Sequence, residues 1–435
     1  MNTSKKLLST IGTAMVLSFP VSNVLAQQSA APINFEVTQD DAIRPFHYHA
    51  SDEALADLKK RIQATNWPDK EVVADASQGV QLSFMKTLAN YWANDYDWRK
   101  IEKRLDAIPQ FVTNIDGVDI HFIHVRSKEK NALPVIITHG WPGSIIEQLK
   151  LIEPLTNPTA NGGKAEDAFD VVIPSIPGYG FSSKPTVAGW TPDKIAETWV
   201  KLMDRLGYEE YVAQGGDWGN AITEKMGLIA PKGLKAIHTN MPATIPDRIN
   251  KALAAHKGAP AGLSKDELYA YNQLDFFFTY GVGYAGEMGY RPQTLYGIAD
   301  SPIGLASWLL DHDAKSYELI KSVFEGKNEG LTRDDVLDNI TLYWLTNTGV
   351  SSGRLFWENV ANPTGSFFDP RGVKIPVAVS AFPNELYTAP ESWAKEAYPN
   401  LVHYKRLEKG GHFAQWEQPA VFAEELRDSF RSFRK

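Results

Sequence analysis

The chain has 435 residues, of which 43% are hydrophobic and 22% are charged, and this balance excludes extensive disorder. Its formal net charge is −8, and no cluster of Lys and Arg offsets that charge, so we expect no nucleic-acid partner. Cysteine is absent, which excludes disulfide bonds, zinc–thiolate sites and a cysteine nucleophile.

Residues 1–26 have the order of a secretory signal peptide. Lys5 and Lys6 precede an apolar stretch over 7–19, and small residues follow up to Ala26. The apolar stretch is short for a bilayer span, so we expect cleavage after Ala26 and export to the periplasm or the medium. An uncleaved anchor is the alternative. After cleavage, we expect no stable membrane anchor.

The next part of the chain, residues 27–110, is predicted to be an amino-terminal domain that is mainly helical. Apolar residues recur at helical spacing over 52–62 and again from 82 to about 92. An Asp116-Gly117 pair then joins two segments in which apolar and polar residues alternate. This pattern predicts a β-hairpin over 111–122.

Further along, short apolar segments alternate with helical ones, which is typical of a parallel sheet covered on both faces. We predict a core in two parts, 111–240 and 351–435, interrupted by an aromatic and partly helical lid over 241–350. The predicted strands are 134–138, 169–173, 211–214, 234–237, 377–380 and 401–404, and helices are predicted over 192–206 and 221–229.

The motif Gly215-Gly216-Asp217-Trp218-Gly219 lies between a predicted strand and a predicted helix. Flanking glycines are typical of the nucleophile elbow, a tight turn that raises one side chain above the sheet. An Asp that only caps the helix is the plainer alternative. A carboxylate is ionised at neutral pH, so it can attack a saturated carbon in a strained C–O bond. The motif therefore predicts an intermediate in which the carboxyl group of Asp217 forms an alkyl ester with the substrate.

Two further residues follow in the chain order nucleophile, acid, histidine of an α/β-hydrolase. His412 lies in Gly-Gly-His-Phe after the last predicted strand, and Glu385 is the first carboxylate after the strand 377–380. Glu385 would orient and stabilise the imidazole. Asp369 and Glu391 are weaker candidates for the acid. The plainer alternatives are a loop histidine and a surface glutamate.

The loop after the strand 134–138 reads His-Gly-Trp-Pro-Gly-Ser at 139–144. In an α/β-hydrolase this loop and the residue after the nucleophile supply the oxyanion hole, so we predict backbone N–H donors at Trp141 and Trp218. Ser144 fits a helix N-cap. The segment Pro-Gly-Tyr-Gly-Phe-Ser at 177–182 lacks the third glycine of a dinucleotide site, and we interpret it as a tight turn.

Taken together, these motifs resemble those of the microsomal-type epoxide hydrolases, over nearly the whole mature chain. The matching segments are HGWPGS at 139–144, PGYGFS at 177–182, GGDWG at 215–219, FPNE at 382–385, GGHF at 410–413 and YWANDYDW at 91–98. The resemblance implies an α/β-hydrolase fold with a mostly parallel central sheet, a helical lid and an amino-terminal segment that wraps around both. It also implies that Asp217 is the nucleophile, His412 the base and Glu385 the supporting acid.

In that family two lid tyrosines hold the epoxide oxygen and protonate it, because an alkoxide leaving group needs a proton that a phenol can donate. Tyr284 matches the first of these tyrosines. The second position is occupied by Phe356, which has no hydroxyl. Tyr280, Tyr290 and Tyr343 are candidates to compensate, and we expect Phe356 and Tyr280 to contact the substrate.

Three functions remain open at this point. Hydrolysis of a bulky or apolar epoxide to a vicinal diol comes first, with no metal or organic cofactor. A haloalkane dehalogenase is the second, because it also uses an Asp nucleophile and a halide leaving group needs no proton. An exported binding protein that uses the same fold without turnover is the third. Self-association is left open.

Overall fold

The computed structural model describes residues 41–327, 330–362, 367 and 372–434, so the predicted signal peptide lies outside the described residues. Within them, one sheet contains nine strands, and each predicted strand overlaps an observed one. The strands are β1 (Arg44–Pro45), β2 (Gln110–Ile115), β3 (Val118–Val125), β4 (Leu133–Thr138), β5 (Phe169–Pro174), β6 (Tyr211–Gly215), β7 (Leu234–Thr239), β8 (Val377–Ala381) and β9 (Leu401–Arg406).

The strand order is β1-β2-β3-β5-β4-β6-β7-β8-β9, which confirms a mostly parallel sheet. The six strands β4 to β9 are all parallel to one another. The strands β1, β2 and β3 form an antiparallel edge beside β5. Because β4 lies between β5 and β6, the chain reverses its direction of progress across the sheet at this point. Loops that follow strands at such a switch point diverge and leave a crevice for a ligand.

Helices cover both faces of the sheet and build the lid. They are α1 (Asp52–Gln63), α2 (Leu82–Asn94), α3 (Trp98–Asp106), α4 (Ile145–Thr156), α5 (Pro192–Arg205), α6 (Trp218–Ile229), α7 (Asp247–Ala255), α8 (Lys265–Phe276), α9 (Gly283–Tyr290), α10 (Tyr296–Asp300), α11 (Pro302–Leu310), α12 (Ala314–Phe324), α13 (Arg333–Leu345), α14 (Gly349–Ala361), α15 (Glu391–Ala397), α16 (Ala414–Glu417) and α17 (Pro419–Phe430). Among the described residues, no helix has the length and hydrophobicity that a membrane crossing requires.

Successive residues of the central strands are buried on opposite faces, as expected for a strand. In β4, Val135 and Ile137 belong to the buried cluster that includes α4 and α17. Ile136 belongs to the cluster that includes α5 and α6. The apolar run Val135, Ile136 and Ile137 in β4 therefore follows from burial on both faces.

The amino-terminal helices α1 to α3 pack against the lid, as the resemblance implies. The indole N–H of Trp92 donates to Oγ1 of Thr341 at 3.0 Å, and the backbone N–H of Gln81 donates to the hydroxyl of Tyr317 at 3.1 Å. At the other end of the same segment, β1 pairs with β2 at the edge of the sheet. The segment thus contacts both the core and the lid.

The predicted boundary between the lid and the second part of the core, at residue 350, falls inside α14. This helix packs against α9 and α10, which belong to the lid. Phe356 on α14 consequently lies near Tyr284 on α9, with ring centroids 6.1 Å apart. Two segments that are distant in sequence thus meet above the strand ends.

Candidate active site

Asp217 occupies the sharp turn between β6 and α6, with φ 51° and ψ −127°. A Cβ at Gly215 would lie 2.0 Å from the carbonyl oxygen of Gly219, and a Cβ at Gly219 would lie 2.0 Å from that of Thr138, so both positions require glycine. Asp217 sits at the N-cap position of α6, but its side chain makes no capping hydrogen bond. A backbone held at positive φ for a non-glycine residue is typical of a functional turn.

The carboxylate of Asp217 is held from the neighbouring loop. The backbone N–H of Trp141 donates to Oδ1 of Asp217 at 2.7 Å. Helix α13 fixes this loop through two hydrogen bonds of 2.8 Å. Nδ2 of Asn339 donates to the carbonyl oxygen of Pro142, and the hydroxyl of Tyr343 donates to the carbonyl oxygen of Gly143. The structure therefore brings the first predicted oxyanion donor to the nucleophile.

The second predicted donor, the backbone N–H of Trp218, stays a prediction. What the structure describes for Trp218 is its ring, which packs edge-on against Phe356 and Phe367 with centroids 4.8 Å away in each case. The ring is buried and lines a cavity beside Asp217. Ser144 caps α4 as predicted, because its hydroxyl accepts a bond from the N–H of Ile146.

His412 and Glu385 meet beside Asp217, as the sequence predicts. Nδ1 of His412 lies 2.6 Å from Oε1 of Glu385, and Nε2 lies 3.9 Å from Oδ2 of Asp217. Burial alone would lower the pKa of His412, but the charges of Glu385, Asp217 and Asp313 outweigh it and raise the pKa to about 10. The imidazole is therefore protonated at neutral pH while these carboxylates are ionised.

Glu417 positions the loop that carries His412, a role that the sequence did not suggest. Its carboxyl accepts bonds from the backbone N–H of Gly411 at 3.0 Å and of Phe413 at 3.2 Å. These are the two residues on either side of His412. Burial raises the pKa of Glu417 to about 7.

Tyr284 is buried above the nucleophile, and its ring stacks on that of Trp141 with centroids 4.8 Å apart and an angle of 20°. Burial, reinforced by the charges of Asp217 and Asp313, raises the pKa of Tyr284 well above its ordinary value. The phenol thus keeps its proton at neutral pH. It can donate that proton to an oxygen on which negative charge develops.

The substrate contact at Tyr280 stays a prediction, and the structure places this residue 77% exposed and outside the lining of the cavity beside Asp217. Tyr280 lies in a π-helical turn, Phe277–Gly281, where its ring packs on Phe276 at the surface. Tyr290 is also exposed, and the hydroxyl of Tyr343 is bonded to the oxyanion loop. None of the three replaces the hydroxyl that Phe356 lacks.

An apolar cavity of about 230 Å³ opens beside the nucleophile. Asp217, Tyr284 and Asn359 provide its polar side chains. The rings of Trp218, Phe277, Phe278 and Phe356 provide much of its wall. Phe356 is thus placed where the sequence predicts a substrate contact. A small apolar molecule could lie here with its reactive carbon near the carboxylate.

A second imidazole, His312, lies at the same place and was missed by the sequence analysis. Its ring centroid is 4.4 Å from that of His412. One carboxylate oxygen of Asp217 and one ring nitrogen each of His312 and His412 lie within 4.8 Å of one another. These three side chains could also hold a transition-metal ion, which would bind the carboxylate of Asp217 and prevent it from attacking a substrate. The only sequence signal was the acidic pair around His312 in Asp311-His312-Asp313.

Glu147 is a second residue that the sequence analysis missed, and it leads to a prediction about stability. Burial raises its pKa from 4.5 to about 8. A folded-state pKa above the unfolded value means that stability is full at low pH and is lost as pH rises between those two values. Glu147→Gln removes this titration, so the variant should melt several degrees above the wild type at about pH 9 and close to it at about pH 5.

Thermal unfolding across this pH range checks the prediction. Glu153→Gln is the matched control, because Glu153 is an exposed carboxyl on the same helix, α4. We expect its melting profile to run parallel to that of the wild type. Parallel profiles for Glu147→Gln and the wild type would contradict the prediction.

Comparison with known proteins agrees with this geometry. Residues 43–148 match the family described as epoxide hydrolase N terminus, and residues 134–278 match the alpha/beta hydrolase fold. The chain is 47% identical over 396 residues to a relative from Stigmatella aurantiaca (strain DW4/3-1), with 90% of this chain and 86% of the relative covered. It is 34% identical to epoxide hydrolase 1 of Sus scrofa, with 89% of this chain and 88% of that protein covered.

Among solved structures, the juvenile hormone epoxide hydrolase of the silkworm Bombyx mori is similar with a TM-score of 0.79 and 29% identity. That match covers 91% of this chain and 95% of the silkworm chain. The Aspergillus niger epoxide hydrolase is similar with a TM-score of 0.74 and 28% identity, covering 90% and 96% of the two chains.

Proposed function

Because the chain belongs to the epoxide hydrolase family and is an epoxide hydrolase, we propose that Asp217 opens an apolar epoxide and His412 directs water against the resulting ester. One observation carries this assignment. Oδ1 of Asp217 accepts the N–H of Trp141 at 2.7 Å, while Oδ2 lies 3.9 Å from the imidazole of His412. One oxygen is held as a future carbonyl oxygen, and the other is left to attack.

In the first step, Oδ2 of Asp217 forms a bond to a ring carbon and the C–O bond of the epoxide breaks. The oxygen that leaves takes the phenolic proton of Tyr284. Ester formation removes the negative charge of Asp217, which is one of the causes of the high pKa of His412. The imidazolium then releases its proton to solvent, which leaves a neutral ring that can act as the base in the next step.

In the second step, His412 takes a proton from water as the water oxygen adds to Cγ of Asp217. The N–H of Trp141 stabilises the oxyanion that forms on Oδ1. The Cγ–Oδ2 bond then breaks, and the departing oxygen receives the proton from His412. The new carboxyl group returns one proton to Tyr284, and His412 takes up a proton from solvent once Asp217 is charged again, which restores the starting state. Glu385 holds the imidazole in the required orientation throughout.

The cavity supports a compact, apolar substrate. Its volume of about 230 Å³ and its aromatic wall suit an aryl or short alkyl epoxide such as styrene oxide. Purified protein should convert styrene oxide to the diol. Halide release from chloroalkanes or bromoalkanes, with no diol from any epoxide, would contradict the assignment and favour dehalogenation.

Two lid variants test how the leaving oxygen is protonated. Tyr284→Phe removes the phenol and should lower kcat/KM for styrene oxide by about 10²-fold or more. Phe356→Tyr places a second phenol in the cavity wall, near Tyr284, and should raise the rate of ester formation by about 10-fold. Rates from rapid mixing measure both effects. Unchanged ester formation in both variants would show that protonation by the lid does not limit the reaction.

We also propose that the protein is exported. The support is the order of basic, apolar and small residues over 1–26. Amino-terminal sequencing of the protein from a cell envelope fraction should give a chain that begins at Gln27. A full-length protein in the cytoplasm would contradict export.

A further inference from the structure

A second histidine–carboxylate pair lies next to the proposed base. Nδ1 of His312 is 2.9 Å from Oδ2 of Asp313, and the His312 side chain is only 2% exposed. Asp313 is fixed in turn, because its Oδ1 accepts the N–H of Ser316 at the start of α12. The arrangement repeats that of Glu385 and His412.

Asp313 keeps the proton of His312 on one side of the ring. The carboxylate of Asp313 can only accept a hydrogen bond, so the neutral form of His312 carries its proton on Nδ1, which faces Asp313. Nε2 of His312 is then a bare acceptor. Among the described residues, this buried nitrogen has no protein partner.

The imidazole faces the place where the ester must be hydrolysed. Its ring packs on His412 at 4.4 Å, on Tyr284 at 5.2 Å and on Trp141 at 5.8 Å. One carboxylate oxygen of Asp217 and one ring nitrogen each of His312 and His412 lie at most 4.8 Å from one another. A single atom placed between these three atoms can therefore lie within about 2.8 Å of each of them. This is the length of a hydrogen bond to water.

We propose that His312 is a second catalytic imidazole, which orients the hydrolytic water together with His412. The water points one O–H at each imidazole, so a lone pair of its oxygen faces Cγ of Asp217. His412 takes the first proton as the C–O bond forms, and it returns that proton when the Cγ–Oδ2 bond breaks. His312 accepts a hydrogen bond from the second O–H and undergoes no net change in protonation.

This inference rests on the proposed roles of Asp217 and His412, and it predicts a specific kinetic split. His312→Phe keeps a ring among the aromatic neighbours but removes the acceptor. Ester formation should change by less than about 3-fold, whereas ester hydrolysis should slow by at least about 10-fold. Asp313→Asn, which leaves the imidazole but loosens its orientation, should slow hydrolysis by a smaller factor.

The experiment is rapid mixing of each full-length variant with styrene oxide, acid quenching, and mass measurement of the peptide that contains residue 217. His238→Phe is the matched control, because His238 is a buried imidazole on β7 that bonds Ser380 instead of the site. Its ratio of ester formation to hydrolysis should equal that of the wild type. If His312→Phe does not fold, the rate constants of ester formation and ester hydrolysis in Asp313→Asn test the inference instead.

Two results would overturn the inference alone. Hydrolysis at the wild-type rate would show that the water needs no second acceptor, and an equal loss of both rate constants would show that His312 only supports the structure. Absence of the ester at Asp217 in the wild-type protein would overturn the proposed function as well. The two failures are therefore distinguishable in one data set.

Discussion

When a single turnover of an epoxide is run in water labelled with ¹⁸O, the diol will contain no label and the carboxyl group of Asp217 will gain the label. The reason is that the new C–O bond uses Oδ2 of Asp217, and water then attacks Cγ and not the substrate carbon. A water activated directly by His412 would label the diol in the first turnover. Mass measurement of the diol and of the peptide containing Asp217 separates these two mechanisms.

The matching substitution, Asp217→Ala, should lower turnover by at least about 10⁴-fold, because it removes the oxygen that attacks the epoxide. The variant should bind substrate but form no ester. Asp119→Asn is the control, since Asp119 is a buried carboxylate on β3 that bonds Arg44 and Asn114. We expect it to lower stability and to leave ester formation intact. Residual diol formation above about 1% of wild type by Asp217→Ala would contradict the nucleophile assignment.

The features that the sequence predicted well are those specified over a few residues. The turn at Asp217 was recognisable because the glycines at 215 and 219 satisfy a local requirement for close backbone contact. The strand β4 was recognisable because burial on both faces requires a run of consecutive apolar residues at 135–137. The order of Asp217, Glu385 and His412 along the chain then predicted their meeting, since the loops that carry them follow strands of one parallel sheet.

The features that were missed depend on how distant segments pack. Ser144 and Glu147 have the spacing of a capping box, and that pattern gave no sign that Glu147 would be buried near the nucleophile. His312 comes from the lid, and only the packing of α12 and the loop before it brings its ring to His412. Tyr280 was a candidate because its hydroxyl could compensate for the one that Phe356 lacks, but it lies in the π-helical turn and is exposed.

His412→Gln should convert the protein into one that forms the ester and holds it. Ring opening needs Asp217 and Tyr284, whereas hydrolysis needs a base, so the first step survives and the second slows by at least about 10³-fold. One equivalent of epoxide should add its full mass to the peptide that contains Asp217. Diol release should be slow from the first turnover, because the diol forms only when the ester is hydrolysed.

The comparison of His412→Gln with Glu385→Gln shows why the base needs its carboxylate. Glu385 contributes to the high pKa of His412 and holds Nδ1 at 2.6 Å. Its amide keeps a hydrogen-bond partner but loses the charge, so the ester should accumulate to a smaller extent and decay measurably. If His412→Gln accumulates no ester while it still releases diol, water must reach Cγ without this imidazole. His312 would then be the nearest remaining ring that could serve as the base.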